Sequence, residues 1–278
     1  MAASAQHIGD TDRVDVVANA PLPGERPGHE APAGRRVAWS LHDVLVGIGW
    51  FIGLFFAGQV LVVPVALAYG ATSHELYASA LVIGAFVEVG IAVVAFELTA
   101  RRYGGGIAAL GIGPPSWRTL RWALAAFVLA MAVSYAYGIL IEVLDIDALR
   151  SECAEQIPDQ VRETRWLLAL ASLTVIAFAP VCEELFFRGF LFPGLARGWG
   201  VVPAIIISGV LFGAAHLLYK SFIPIAGVGI VFAFAYYRSG NILSTMLAHL
   251  AFNSLSIAFI AGGACDTVAL PHALTVLR

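Results

Sequence analysis

The sequence predicts an all-α polytopic membrane protein, a bundle of about seven transmembrane helices. Three observations carry that prediction. Hydrophobic residues make up 59% of the 278 positions and charged residues 13%, against roughly 45–50% and about 25% in an ordinary soluble domain. About half the charge needed to cover a water-facing surface is present, which argues against a soluble enzyme and against a disordered chain. From Leu41 onward, apolar stretches alternate with short polar joints, and several reach the roughly 20 residues that cross a hydrocarbon core. Finally, the formal net charge is −3 and Lys220 is the one lysine. Nucleic acid selects clustered positive charge, so it is excluded as a partner.

Taken in order, residues 1–38 form a polar tail. It carries Pro21, Pro23, Pro27 and Pro32, mixed charges and no apolar run. A secretory signal needs a basic start and an apolar core, and neither is there; the composition is that of a segment disordered in water. Residues 39–278 form a single membrane domain. Its spans are predicted at 44–69, 76–99, 122–144, 166–191, 201–218, 222–237 and 242–261. The sixth is short, which suits a tilted, partial or re-entrant segment. Pro180 is expected to kink or break the fourth, so an eighth span arises if that one splits. The joint from Asp145 to Arg165 alternates in charge and contains Pro158; a short surface helix is expected there. No internal repeat of the transporter kind is visible.

Basic residues set the orientation. With the tail in the cytoplasm, Arg13, Arg26, Arg35, Arg36, Arg101, Arg102, Arg118, Arg121, Arg197 and Arg238 lie inside. Arg150, Arg162, Arg165, Lys220 and Arg278 lie outside, and Arg188 falls within a span. The positive-inside rule favours this N-in arrangement. Cys153, Cys182 and Cys265 have no metal-type spacing, and their odd number excludes a full disulfide framework.

The informative residues are polar groups in apolar surroundings, where a charge at a helix centre costs about 2.5–3.5 kcal/mol on insertion scales. Glu183, Glu184 and Arg188 lie in one such stretch. Glu184 and Arg188 are four residues apart and share a helix face, as an ion pair would. Glu183 points about 100° away and has no evident partner. His216 closes the fifth span, and His249 and Asn253 project from one face of the seventh. A histidine alone is more often a packing residue. A carboxylate, two imidazoles and an amide together are what base-assisted or metal-assisted hydrolysis requires.

In order, these motifs read Glu183-Glu184-Leu185-Phe186-Phe187-Arg188, Phe212-Gly213-Ala214-Ala215-His216 and His249-Leu250-Ala251-Phe252-Asn253. They resemble the EExxxR, FxxxH and HxxxN/D motifs of the CPBP family of intramembrane proteases, the CAAX protease and bacteriocin-processing family. The stretch Leu110–Arg118 resembles the start of that family's core, and the likeness covers about residues 110–262. The resemblance implies an intramembrane endopeptidase that hydrolyses a membrane-associated peptide or protein by activated water. Glu183 would activate the water with His216 close by. His249 and Asn253 would act as ligands or oxyanion stabilisers, with Glu184 and Arg188 in support. Glu183, His216 and His249 suit a divalent metal, Zn²⁺ above others; the same set without metal gives a glutamate-activated water. The expected setting is a bacterial cytoplasmic membrane, with lipids as neighbours.

Other signals point elsewhere. His74-Glu75-Leu76-Tyr77-Ala78 begins like the zinc motif HExxH, but Ala78 replaces the second ligand and the segment is expected in a joint. Glu88 lies mid-way along the second span; a buried carboxyl bonded to a neighbouring helix accounts for it. With Glu183 and Glu184 it could instead mark an ion- or proton-coupled transporter, and a non-catalytic immunity or scaffold relative is a further alternative. Phe186, Phe187, Phe212 and Phe252 are expected as core around the site.

Overall fold

The computed structural model describes residues 37–150 and 157–262. The tail before Val37 therefore lies outside the described residues, as do Cys153 and Cys265. Among the described residues there are helices and turns and no strands. The main helices are α1 (Leu41–Tyr69), α2 (His74–Arg101), α3 (Trp117–Leu144), α4 (Asp159–Glu163), α5 (Arg165–Trp199), α6 (Val201–Ala215), α7 (Phe222–Ser239) and α8 (Leu243–Ala261). Six of these are long and apolar enough to span a membrane: α1, α2, α3, α5, α7 and α8. The chain is an integral membrane bundle.

Two span expectations change. The short member is the fifth, α6, at 15 residues, rather than the sixth, which runs 18. His216 leaves the helix and Leu217 takes a left-handed φ of 54°, which ends α6 early. Gly240, at φ 72°, carries α7 on to Ser239. Pro180 does not split the fourth span either, so no eighth arises: α5 runs continuously over 35 residues. A proline removes one N–H and its ring crowds the carbonyl four residues back. The backbone just before it, Leu173–Phe178, widens to π-helical geometry, which relieves that crowding. The Val175 carbonyl is then capped from outside by Asn253 Nδ2 at 2.8 Å.

Contacts sort the helix ends into two groups. At one end, Arg102, just after α2, pairs with Asp43 of α1 at 3.0 Å, and Arg197 of α5 bonds the Trp39 carbonyl at 3.0 Å. Arg118 of α3 bonds the Arg238 carbonyl of α7. At the other, Tyr137 of α3 donates to the Lys220 carbonyl at 3.1 Å, and Tyr77 of α2 reaches Gln160 of α4. Successive long helices therefore alternate in direction. The 145–165 joint contributes a 3₁₀ turn at Asp147–Leu149 and the short α4, in keeping with the expected surface helix.

Burial grades from rim to centre. Only 6% of the apolar window of α1 is buried, against 39% in α7. Leu45, Phe56, Val60, Leu67 and Phe86 are exposed along α1 and α2, as side chains facing lipid must be. The core is built on α5, where Phe186, Phe187, Phe190 and Leu191 pack with Phe212, Ala233 and Tyr236.

The closest helix contact is α6 on α7. Small residues let backbones approach in a bilayer, where packing rather than water exclusion drives association. A Cβ on Gly209 would lie 2.5 Å from the Ile230 nitrogen, and one on Gly213 2.8 Å from the Ala226 nitrogen. Gly209→Ala is therefore expected to separate the helices, at about 1–3 kcal/mol. Thermal unfolding in detergent checks this, with Gly53→Ala as control, because a Cβ there meets nothing within 4 Å. Equal stability of the two variants would contradict the packing argument.

Candidate active site

The polar residues singled out in the sequence converge on the middle of α5. The carboxylate of Glu184 and the guanidinium of Arg188 are both fully buried. Arg188 Nη1 donates to Glu184 Oε1 at 2.8 Å, and Nη2 donates to the Gly229 carbonyl of α7 at 3.0 Å. The guanidinium also lies over the Phe212 ring, 4.4 Å from its centroid, with Phe232 at 5.4 Å. A buried charge is tolerated only when paired and hydrogen-bonded, and aromatic faces add to that. The pairing of Glu184 with Arg188 follows the four-residue spacing. Phe212 was expected around the site, but the Gly229 carbonyl and the Phe232 face had no sequence signal, because they come from another helix.

Glu184 also holds a histidine. His249 Nδ1 stands 3.1 Å from Glu184 Oε1, and the His249 side chain is 4% exposed. An ionised carboxylate can only accept, so this contact places the proton on Nδ1 and leaves the Nε2 lone pair free. Phe212 and Phe232 flank the ring at 5.7 and 5.3 Å. The free Nε2 faces Glu183 Oε2 at 3.9 Å, too far for a hydrogen bond. Glu183 Oε2 is itself buried and has no hydrogen-bond partner among the described residues. An unpartnered carboxylate oxygen facing an oriented imidazole is the chemical centre of the site.

His216 and Asn253 stand further from this centre. His216 Nδ1 lies 2.8 Å from the Phe212 carbonyl, and its ring stacks on Phe212 at 4.9 Å. Both histidines thus contact Phe212, and no contact joins His216 to Glu183 or His249 among the described residues. Asn253 is engaged with the Val175 carbonyl, so its amide fastens α8 to the widened turn of α5.

A metal was expected on Glu183, His216 and His249. As donors they suit it: each histidine has Nδ1 engaged and Nε2 available, the usual way ligand imidazoles are oriented. As geometry they do not form a ready three-ligand site, since no three His, Cys, Asp or Glu side chains among the described residues stand close enough to hold an ion. Two of the three, Glu183 and His249, are together; His216 is apart.

Three further expectations are settled by position. His74 and Glu75 open α2 behind the Ser73 cap rather than lying in a joint, and Ala78 still breaks the zinc-like motif. Phe186, Phe187 and Phe212 are core, while Phe252 is partly buried against a neighbouring cluster. Glu88 Oε2 is buried without a hydrogen-bond partner among the described residues, contrary to the interhelical bond expected for it.

Comparison with known proteins adds the following. Residues 165–255 match the family model Rce1-like, described as type II CAAX prenyl endopeptidase Rce1-like. That segment contains all six residues discussed above. The "Putative membrane peptidase YdiL" of Bacillus subtilis (strain 168) is 27% identical over 139 residues, which are 50% of this chain and 55% of that protein. An "Uncharacterized 24.3 kDa protein" of Escherichia coli is 32% identical over 95 residues, 32% of this chain and 44% of that one. The chain thus spans about half the length of the curated relatives it matches. No solved structure gives a significant match.

Proposed function

We propose that this chain, whose residues 165–255 match the type II CAAX prenyl endopeptidase Rce1-like model, is an intramembrane endopeptidase that hydrolyses a peptide bond of a membrane-associated peptide or protein. The observation that carries the reading is the buried, unpartnered Oε2 of Glu183 facing the free Nε2 of His249. A carboxylate left without a donor among apolar helices is costly, and a bound water meets that need.

In the proposed reaction, Glu183 takes a proton from this water as the oxygen attacks the scissile carbonyl carbon. The C–N bond then breaks and the leaving nitrogen receives that proton, directly from Glu183 or through the Nε2 lone pair of His249. The Glu184–Arg188 pair keeps His249 in the required tautomer and orientation. Surrounding low dielectric strengthens each of these contacts. The N-terminus is placed on the cytoplasmic side in this proposal, on the arginine distribution alone.

A second reading keeps the metal, favoured by the engaged Nδ1 atoms of both histidines. Zn²⁺ would be held by Glu183 and the Nε2 atoms of His249 and His216, and would supply Lewis-acid activation of water. Geometry supports the metal-free form better, because His216 is not with the pair. Purified wild type is accordingly expected to keep its cleavage rate after chelation and to bind no more zinc than His249→Ala. Stoichiometric zinc lost in His249→Ala, with activity lost on chelation, would favour the metal.

The function itself is tested without knowing the substrate. Terminal-peptide profiling compares membranes of cells making wild type or Glu183→Gln at equal protein level. New termini confined to wild type are expected; identical profiles would overturn the protease reading.

A further inference from the structure

Glu88 is the one mid-span carboxylate that the mechanism above does not use, and it comes from outside the matched segment. Helix α2 carries it against α5, packing along the 179–191 stretch that holds Glu183. Its Oε2 is buried and unpartnered, like Oε2 of Glu183. The two carboxyl groups and the Cys182 thiol are close enough to act on one another electrostatically. His249, nearly fully buried, has its Nε2 3.9 Å from Glu183 Oε2.

Two buried carboxyl oxygens, each without a hydrogen-bond partner among the described residues and close enough to interact across the α2–α5 contact, call for a shared donor. Neither the Cys182 thiol nor any other described group bonds to them. A water has two hydrogens, and buried waters typically serve otherwise unsatisfied polar atoms. We infer that Glu88 is a catalytic residue that holds the attacking water, accepting one of its hydrogens while Glu183 accepts the other. This inference rests on the endopeptidase reading. Held at both hydrogens, the water turns a lone pair outward, the orientation attack on a carbonyl carbon requires. The hydrogen on the Glu183 side is the one transferred; the hydrogen on the Glu88 side stays with the oxygen and leaves in the product carboxyl group. The reaction consumes one water and needs no other reactant. On this account the first two helices are part of the catalytic apparatus, although the resemblance in sequence begins after them.

The experiment measures kcat and KM in proteoliposomes, using a fluorescence-quenched peptide ending in a prenylated CAAX sequence. Glu88→Met is apolar and of similar length, so the lipid-embedded helix tolerates it; Glu88→Gln keeps an oxygen that can accept from water. Glu88→Met is expected to lower kcat by about 10- to 100-fold with KM and melting temperature unchanged. Glu88→Gln is expected to stay within about threefold of wild type. Full kcat in Glu88→Met would overturn the inference. So would a fall in melting temperature that accompanies and accounts for the loss, since that is a structural role. Glu183→Gln is run beside them. If it is inactive while Glu88→Met is fully active, Glu88 alone is misassigned; if Glu183→Gln is active, the reading of the whole site falls.

Discussion

Glu183→Gln, folded and inserted like wild type, is expected to cleave the same peptide at least about 100-fold more slowly, with the loss in kcat rather than KM. A positioned acid–base group contributes roughly 10²–10⁴ in rate, and in the proposed reaction Glu183 is the carboxylate that takes the proton. Glu184 is committed to Arg188 and His249 through the same oxygen, Oε1. Glutamine keeps the length and polarity of the side chain but cannot take the proton. The change should be mild for the fold, since Glu183 makes no hydrogen bond through Oε2. The measurement is single-turnover cleavage in proteoliposomes alongside a melting curve. Retained kcat would remove Glu183 from its assigned role.

The second large effect concerns stability. Arg188→Met is expected to cost about 3–5 kcal/mol, the usual result of removing one partner from a buried ion pair. It leaves Glu184 fully buried beside His249 and frees the Gly229 carbonyl. Melting temperature in detergent should fall by about 10 °C on the scale of domains this size. Removing both charges is a different matter, because an apolar or neutral pair of similar volume is often as stable as the ion pair it replaces. The double variant Glu184→Gln with Arg188→Met should therefore recover most of the lost stability. It should not recover activity, because His249 loses the carboxylate that fixes its tautomer. A double variant as unstable as Arg188→Met alone would show that Arg188 acts through Gly229 and the aromatic rings instead.

These two expectations separate what the charged stretch in α5 does. Glu183 is the more accessible of the pair, with 13% of its side chain accessible, and Glu184 is wholly enclosed. Adjacent residues on a helix point about 100° apart. One sequence doublet thus supplies the proposed reactive group and a group held in a buried ion pair.

Much of this was legible in the chain. The apolar stretches located all seven apolar helices, six of them long enough to span, because a helix that must satisfy its own backbone in lipid has a length and composition that leave little choice. Where the ends differ, the cause is local backbone geometry: the turn at His216 and Leu217 shortens α6, and the Gly240 cap lengthens α7. The Glu184–Arg188 pairing was equally readable, since it depends on helical spacing alone. Pro180 was read as a break because a proline removes a hydrogen bond. A π-helical turn and an amide from α8 compensate for it, and neither leaves a mark near Pro180 in the sequence.

By itself, then, the sequence determined the membrane class, the helices and which polar residues are out of place, all of them consequences of short-range periodicity and of the cost of charge in an apolar medium. Only the tertiary structure decided which of those residues meet. It brought His249 to Glu184 and toward Glu183, carried Glu88 within electrostatic range of Glu183, tied Arg188 to Gly229, and left His216 and Asn253 with partners of their own. The physical reason is that spacing fixes the face a residue occupies on its own helix. Which neighbouring helix that face receives is set by packing, here by the small residues that bring α6 and α7 together and by the contact of α2 with α5.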